Sequence, residues 1–325
     1  LQRIVIIQTA FIGDVILATA VAEKLHQHYP EAVIDFVLRK GNEGLLANHP
    51  FISQVYVWDK KQNKIKNLLG IAKKLRSAKY DYVINLQRFA SSGFITAFSG
   101  AKYKIGFDKN PLSFLYTQKI KHEIGKGKQH EVERNQLLIQ ALTDNQFAKP
   151  KLYPTAANFN SVNKYKNLAY VCIAPTSVWF TKQFPKDKWV ELCNALPSSL
   201  AVYLLGAPND SETCEWIKDN SKNKNIINLS GKLNFLESAA LMRDAKMNYV
   251  NDSAPMHIAS AMNAATTAVF CSTIPDFGFG PLADDSKIIE TKEHLDCRPC
   301  GLHGRASCPK GHFKCAYSIE VSSLL

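Results

Sequence analysis

The sequence predicts an α/β protein of two successive doubly wound, Rossmann-like domains. Three observations carry that reading. Short apolar runs alternate with helix-length amphipathic segments along nearly the whole chain, the pattern of strands buried on both faces and joined by crossover helices. The alternation breaks once, over 144–166, where DNQFAKPKLYPTAANFNSVNKYK is polar, carries two prolines and lacks helical periodicity. It then restarts with the same rhythm. The expected organisation is a domain at 1–150, a linker at about 144–166 and a domain at 167–325. Ligands are expected in the cleft, beyond the carboxyl ends of the strands.

In the first domain RIVIIQ (3–8) is a continuous apolar strand, TAFIGD (9–14) a loop and 15–29 a helix. Strands follow at 32–38, 55–58, 80–86 and 103–106. The second domain reads as strand 168–174, helix 186–196, strand 201–205, helix 211–220, strand 226–229 and helix 235–244. It closes with strand 247–250, the polar loop Asn251-Asp252-Ser253, a helix with Pro255 in its first turn, and strand 267–270. Proline is tolerated there because first-turn N–H groups lack intrahelical partners. With 325 residues, 46% of them hydrophobic, the chain has enough apolar side chains for two cores.

The formal net charge of +12 favours an acidic partner or a phosphorylated ligand. Lys60, Lys61, Lys64, Lys66, Lys73, Lys74, Arg76 and Lys79 occur with no intervening acid, and Ile65, Leu68, Leu69, Ala72 and Leu75 give that segment an apolar face. The lysines then form a solvated face, either a plain soluble surface or a weak attractor of anionic membrane. Nucleic acid is not an expected partner, for no recognition motif or aromatic-interleaved basic platform is present. No 18-residue apolar run could span a bilayer, and the start of the chain shows no signal-peptide pattern, so a cytosolic protein is expected. One glycine, Gly13, follows the first strand where a dinucleotide fingerprint needs three, and GxxxxGK[ST] is absent.

The candidate chemistry clusters at strand ends. Oriented amides at the start of the helix after Asp252 make an anion site; the outward donors are expected from Ser253, Ala254, Met256 and His257, with Asp252 capping the turn. Thr176, Ser177 and Lys182 follow the first strand of the second domain, where hydroxyls and an ammonium suit a diphosphate. Asp210 either accepts from ribose hydroxyls or caps the helix after it, and His257 is either structural or an anion contact. Asp14 is an N-cap or a general base, with Gly13 letting a substrate approach the backbone. Arg88 is a candidate phosphate or carboxylate contact. Cys297, Cys300, Cys308 and Cys315 have the ligand count of a structural zinc site, though the spacing is equally open to packed thiols or, less readily in a cytosolic chain, disulfides. Cys172, Cys193, Cys214 and Cys271 read as core.

In order and spacing, TAFIGDVILAT, PTS…TKQFP…W, LLGAPND and NDSAPMHIASA resemble the ADP-heptose:lipopolysaccharide heptosyltransferases, glycosyltransferase family nine, over nearly the full length. The ending CRPC…CPKGHFKC resembles the heptosyltransferase II branch. The resemblance implies a GT-B fold and an inverting transfer of heptose from an ADP-sugar to lipid A-linked inner-core oligosaccharide. No metal or other cofactor is required, and the work is done at the cytoplasmic face of the inner membrane. It puts Asp14 on the catalytic base and Lys182 on the basic residue facing the diphosphate. Asp210 falls on a nucleoside-binding acid, and Asp252, Ser253, Ala254 and His257 on the diphosphate loop. The family often has Asp-Thr-Gly at 252–254, and some relatives have Lys where Gln8 stands. Two other readings remain: the same fold with another nucleotide sugar, and a non-catalytic nucleotide-sugar or glycan-binding protein.

Overall fold

The computed structural model describes residues 2–125 and 129–325. The chain divides into two compact units, Leu1–Tyr153 and Pro154–Leu325. The first contains β1 (Arg3–Gln8), α1 (Ile12–His28), β2 (Val33–Arg39), β3 (Ile52–Trp58), α2 (Lys64–Ala78) and β4 (Tyr82–Asn85). It continues with α3 (Ala90–Phe98), β5 (Tyr103–Phe107), β6 (Gln118–Ile120) and α4 (Glu131–Leu137). Its six strands form one parallel sheet in the order β3-β2-β1-β4-β5-β6.

The second unit opens with α5 (Ala156–Val162), then β7 (Tyr170–Ala174), α6 (Lys186–Ala195), β8 (Ala201–Leu204), α7 (Ser211–Asn220) and β9 (Ile226–Asn228). After these come α8 (Phe235–Arg243), β10 (Asn248–Asn251), α9 (Ala254–Ala261), β11 (Thr266–Phe270), β12 (Ser286–Glu290) and α10 (Lys314–Tyr317). Its parallel sheet runs β12-β11-β10-β7-β8-β9. Counted within its own unit, each sheet has the doubly wound order 3-2-1-4-5-6. The order reverses between β1 and β4 in one sheet and between β7 and β10 in the other, and these switch points decide where ligands can sit.

The central strands are buried because both faces are covered. Ile4 to Ile7 have no exposed surface, and β7 is buried along its length. Helix α1 is buried on most of its circumference, from Val15 to Ala22, as expected of a helix apolar nearly all round. Separate cores result, one around Val5, Val37, Trp58 and Val83, the other around Ile173, Trp189, Val202 and Val269. Cys172, Cys193, Cys214 and Cys271 are buried thiols. Among the described residues, no helix is long and apolar enough to cross a membrane.

Several boundaries differ from the sequence reading, each for a local reason. Helix α1 begins at Ile12, because the Asp14 carboxylate accepts from the Phe11 N–H at 3.2 Å and Val15 N–H closes onto the Phe11 carbonyl. Gly13 is therefore helical and not part of a loop. The stretch 144–166, read as lacking helix, includes α5, whose first turn is closed reciprocally by Thr155 and Asn158. A capping box needs no long apolar period to hold one turn. The edge strands β6 and β12 had no sequence expectation; β12 is mostly exposed, and half-solvated edges lack the apolar run of inner strands.

Two buried histidines make the first unit acid-sensitive. His49 lies edge-on to Phe51 and Tyr153 at 4.4 and 4.6 Å, and among the described residues neither ring nitrogen has a hydrogen-bond partner. Burial lowers it to about 4, with His26 and Lys151 adding repulsion. His122, edge-on to Phe107, is also lowered to about 4, chiefly by burial. Unfolded, both titrate at their ordinary value, so between about pH 6.5 and 4 the unfolded chain binds more protons and stability falls with pH. Each neutral ring should forfeit about 2 kcal/mol by pH 5 relative to neutrality. Melting temperature measured from pH 7 to 5 should fall, and His49→Leu should flatten that slope; an unchanged slope in the variant contradicts the assignment.

Candidate active site

At the switch point of the first sheet, β1 and β4 end side by side and their following loops are laced together. The buried Gln8 carbonyl oxygen (Oε1) accepts from Gln87 Nε2 at 2.5 Å and from Ala10 N–H at 3.2 Å, while Thr9 Oγ1 donates to Gln87 Oε1 at 2.9 Å. Asn42 Nδ2 donates to the Ala10 carbonyl and Lys60 Nζ to the Thr9 carbonyl, at 3.0 and 2.6 Å. Lys60 is thus half-buried rather than part of the solvated basic face, and burial lowers its pKa. This lacing presents the first turn of α1, and Asp14 with it, at the carboxyl end of the sheet.

Asp14 is partly exposed and occupies the third helical position. It serves as a first-turn acceptor rather than as the N-cap residue itself. A buried ion pair lies in its electrostatic range. Glu131, at the start of α4, bonds Arg134 Nε at 2.9 Å and Nη2 at 2.8 Å, and α4 packs on α1. Burial drives the Glu131 carboxyl upward, Arg134 opposes the rise, Asp14 adds to it, and Arg88 opposes it. Asp14 and Arg88 therefore share one charged neighbourhood. Glu131 and Arg134 were missed in the sequence; HEVERNQ signals a helix start, not a partner more than a hundred residues away.

The second switch point is tied by Asn251, the last residue of β10. It is fully buried, accepts from Phe184 N–H at 2.8 Å, and donates to the carbonyls of Ala174 and Thr176 at 3.4 Å each. Next to it the Asp252 carboxylate takes Lys182 Nζ at 2.7 Å and the Thr273 hydroxyl at 2.7 Å. Asp252 thus does not cap α9. Ser253 is the N-cap, in extended conformation and without a side-chain cap bond. Met256 N–H, expected to face outward, closes onto the Ser253 carbonyl at 3.1 Å. Ala254 opens the helix outside the left-handed region, so the position does not require glycine's freedom. His257 is buried, with 6% of its surface exposed.

Thr176 and Ser177 lie partly buried in the loop after β7, and the Ser177 carbonyl accepts from Gln183 Nε2 at 2.7 Å. This brings Thr176, Ser177, Lys182, Asp252 and the start of α9 to one end of the second sheet. Asp210 stands at the end of the neighbouring strand β8, where its Oδ2 accepts from Ala207 N–H at 2.7 Å. Its carboxylate closes its own 3-10 turn; Asp210 is also the N-cap residue of α7, where its side chain makes no cap hydrogen bond.

The cysteine-rich end forms a cavity of about 200 Å³ lined by Cys297, Cys300, Cys308, Cys315 and His312. Cys297 Sγ is 4.0 Å from His312 Nε2, and burial, with the neighbouring thiols adding, pushes Cys315 up to about 11. The eight cysteines are free thiols. Among the described residues no three His, Cys, Asp or Glu side chains are gathered so as to hold a metal ion. Cys315 is buried, and Cys297, Cys300 and Cys308 are partly buried.

A model of glycosyltransferase family 9 (heptosyltransferase) matches residues 68–305. Lipopolysaccharide heptosyltransferase 3 of Escherichia coli K12 is 30% identical over 280 residues, covering 80% of this chain and 80% of that protein. The family 9 glycosyl transferase of Veillonella parvula DSM 2008 superposes with a TM-score of 0.80 at 21% identity, covering 89% and 86% of the two chains. E. coli ADP-heptose LPS heptosyltransferase II does so at 0.79 and 20%, covering 92% and 96%. These structures share the GT-B fold with this chain.

The lacing at the second switch point is testable by stability. Asn251→Ala removes three hydrogen bonds and leaves one donor and two acceptors buried, which should cost about 2–3 kcal/mol. Denaturant unfolding followed by tryptophan fluorescence should show the lower midpoint, Trp189 being buried in this unit's core.

Proposed function

The chain belongs to glycosyltransferase family 9, and on that premise we propose that it moves a heptose from ADP-heptose to the inner core of lipopolysaccharide with inversion at the anomeric carbon. The observation that carries this reading is the pairing of chemistry with topology. A carboxylate in a charged pocket follows the first strand of one doubly wound unit, and a held ammonium follows the first strand of the other.

Asp14 acts as general base. It takes the proton from an acceptor hydroxyl as that oxygen bonds to the anomeric carbon and the bond from that carbon to the diphosphate oxygen breaks. The Glu131–Arg134 pair and Arg88 surround Asp14 with fixed charge, and Arg88 contacts phosphate or carboxylate groups of the acceptor. Lys182 stabilises the charge that develops on the leaving ADP, as preorganised cations do in water-excluded sites. The N–H groups of Ser253 and Ala254, with the hydroxyls of Thr176 and Ser177, complete the diphosphate cradle, and Asp210 lies where a ribose would be held. Asp252 orients Lys182; a carboxylate set directly against the diphosphate would repel it.

The acceptor is anchored by lipid A, so the enzyme works at the cytoplasmic face of the inner membrane. The lysines of α2 supply weak attraction to anionic headgroups. The C-terminal CRPC…C…C pattern favours the branch that adds the second heptose, and product linkage analysis decides this against the third.

Asp14→Asn should lower kcat by about 10²–10⁴-fold while ADP binds as in the parent, measured by calorimetry; undiminished turnover rules Asp14 out as base. Titration of ADP-heptose against UDP-sugars should show selective binding of the adenine nucleotide, and equal affinities would remove ADP-heptose as the donor.

A further inference from the structure

The cysteine-rich segment is the largest feature to which glycosyl transfer gives no task. Its first part is bolted to the end of β11. Arg298 donates to the carbonyls of Cys271, Thr273 and Phe270 at 2.7, 2.8 and 3.2 Å and pairs with Glu290 at 2.6 Å. Cys300 N–H donates to the Ser272 carbonyl at 2.8 Å. Its second part is bolted to the residue before Lys182. Arg305 N–H donates to Thr181 Oγ1 at 2.8 Å, Thr181 N–H returns to the Arg305 carbonyl at 3.1 Å, and Ser272 Oγ also donates to Thr181 Oγ1 at 2.9 Å. Thr181 is buried and its bond with Ser272 lies away from water, while Arg305 itself is exposed.

Between the two attachments the segment runs against the lysine itself. Gly304 has φ +76°, and a Cβ there would stand 2.9 Å from Lys182 Cγ and 3.0 Å from Thr181 Oγ1. The first is the middle of the lysine stem, which cannot yield without moving the ammonium. A left-handed glycine is needed twice over, for its backbone conformation and for the missing methyl. The contacts close a ring: Lys182 to Asp252, Asp252 to Thr273, Ser272 to Thr181, and Thr181 back to Lys182 along the chain.

We propose that the segment from Arg298 to Arg305 positions Lys182, with Gly304 and Thr181 fixing the stem so that Nζ stays at the anion-binding end of the sheet. The cysteines line the cavity that Thr181 and Ser272 also border. This rests on the reading in which Lys182 faces a diphosphate.

The test is a double-mutant cycle read by ADP titration of the full chain. Lys182→Met should weaken ADP at least tenfold. Gly304→Ala and Thr181→Val should each weaken it about tenfold, with Thr181→Ser retaining parental affinity because it keeps the accepting hydroxyl. In the Lys182→Met background Gly304→Ala should cost less than twofold more, since a positioning residue has nothing left to position. Full additivity of the two changes overturns the proposal, as does parental affinity in both Gly304→Ala and Thr181→Val. Unchanged ADP binding in Lys182→Met itself overturns the diphosphate reading instead. Thr181→Val serves if Gly304→Ala fails to fold.

Discussion

Much of the second unit's site depends on one ion pair, Lys182 with Asp252 at 2.7 Å, whose side chains are 16% and 8% exposed. Removing either partner would leave the other shielded from water without its counter-charge. The pair therefore fixes the loop after β7 to the end of β10, across the point where strand order reverses. Asn251 does the same for the backbone one residue earlier. The ammonium is neutralised by Asp252, and under the proposed function a diphosphate arriving beside it would add acceptors to a cation that is already aimed. The site thus needs little rearrangement to take up negative charge, the condition under which electrostatic stabilisation is most effective.

In the proposed reaction the first unit faces the converse problem. A base must stay ionised yet not be so tightly paired that it cannot accept a proton. Asp14 accepts the Phe11 N–H at 3.2 Å at a helix start, where the dipole favours negative charge. The buried Glu131 lies within its electrostatic range and is itself paired with Arg134. Repetition of one strand order in both units explains why each cluster sits where it does. A doubly wound sheet opens a crevice where its strands diverge, and the first loop of each unit borders that crevice.

What could be read in the sequence was what is local. Inner strands appear as unbroken apolar runs, and β7, β8 and β10 lie within two residues of their expected bounds. Loops that carry hydroxyls, carboxylates and a lysine at strand ends are equally visible. What could not be read depends on partners distant along the chain. Asp252 looks like a helix cap because it precedes a helix, and only the fold brings Lys182, seventy positions earlier, to compete for it. Asp210 was offered a helix and a ribose, and its carboxylate turned back to the nearest N–H. HEVERNQ conceals its meaning for the same reason, since the value of Glu131 lies in its distance from Asp14.

The same physics accounts for two features that the family pattern marks as unusual. Where relatives often carry Asp-Thr-Gly, this chain has Asp252-Ser253-Ala254. Glycine is required only where φ is positive or a Cβ would collide, and Ala254 meets neither condition as the first residue of α9. Ser253 keeps a hydroxyl, placed 3.4 Å from the Asn251 carbonyl. The turn thus forms without a glycine, while a glycine in the left-handed region stands at Gly304, far along the chain in the segment packed against Lys182. Gln8 shows the complementary case. A lysine there would bring an ammonium into the buried lacing with Gln87; the amide instead accepts two hydrogen bonds and leaves the pocket's charge to Asp14, Glu131, Arg134 and Arg88. Under the proposed function, Arg88 from the loop after β4 is the cation offered to an acceptor anion, where a relative with a lysine at that strand end would offer a second.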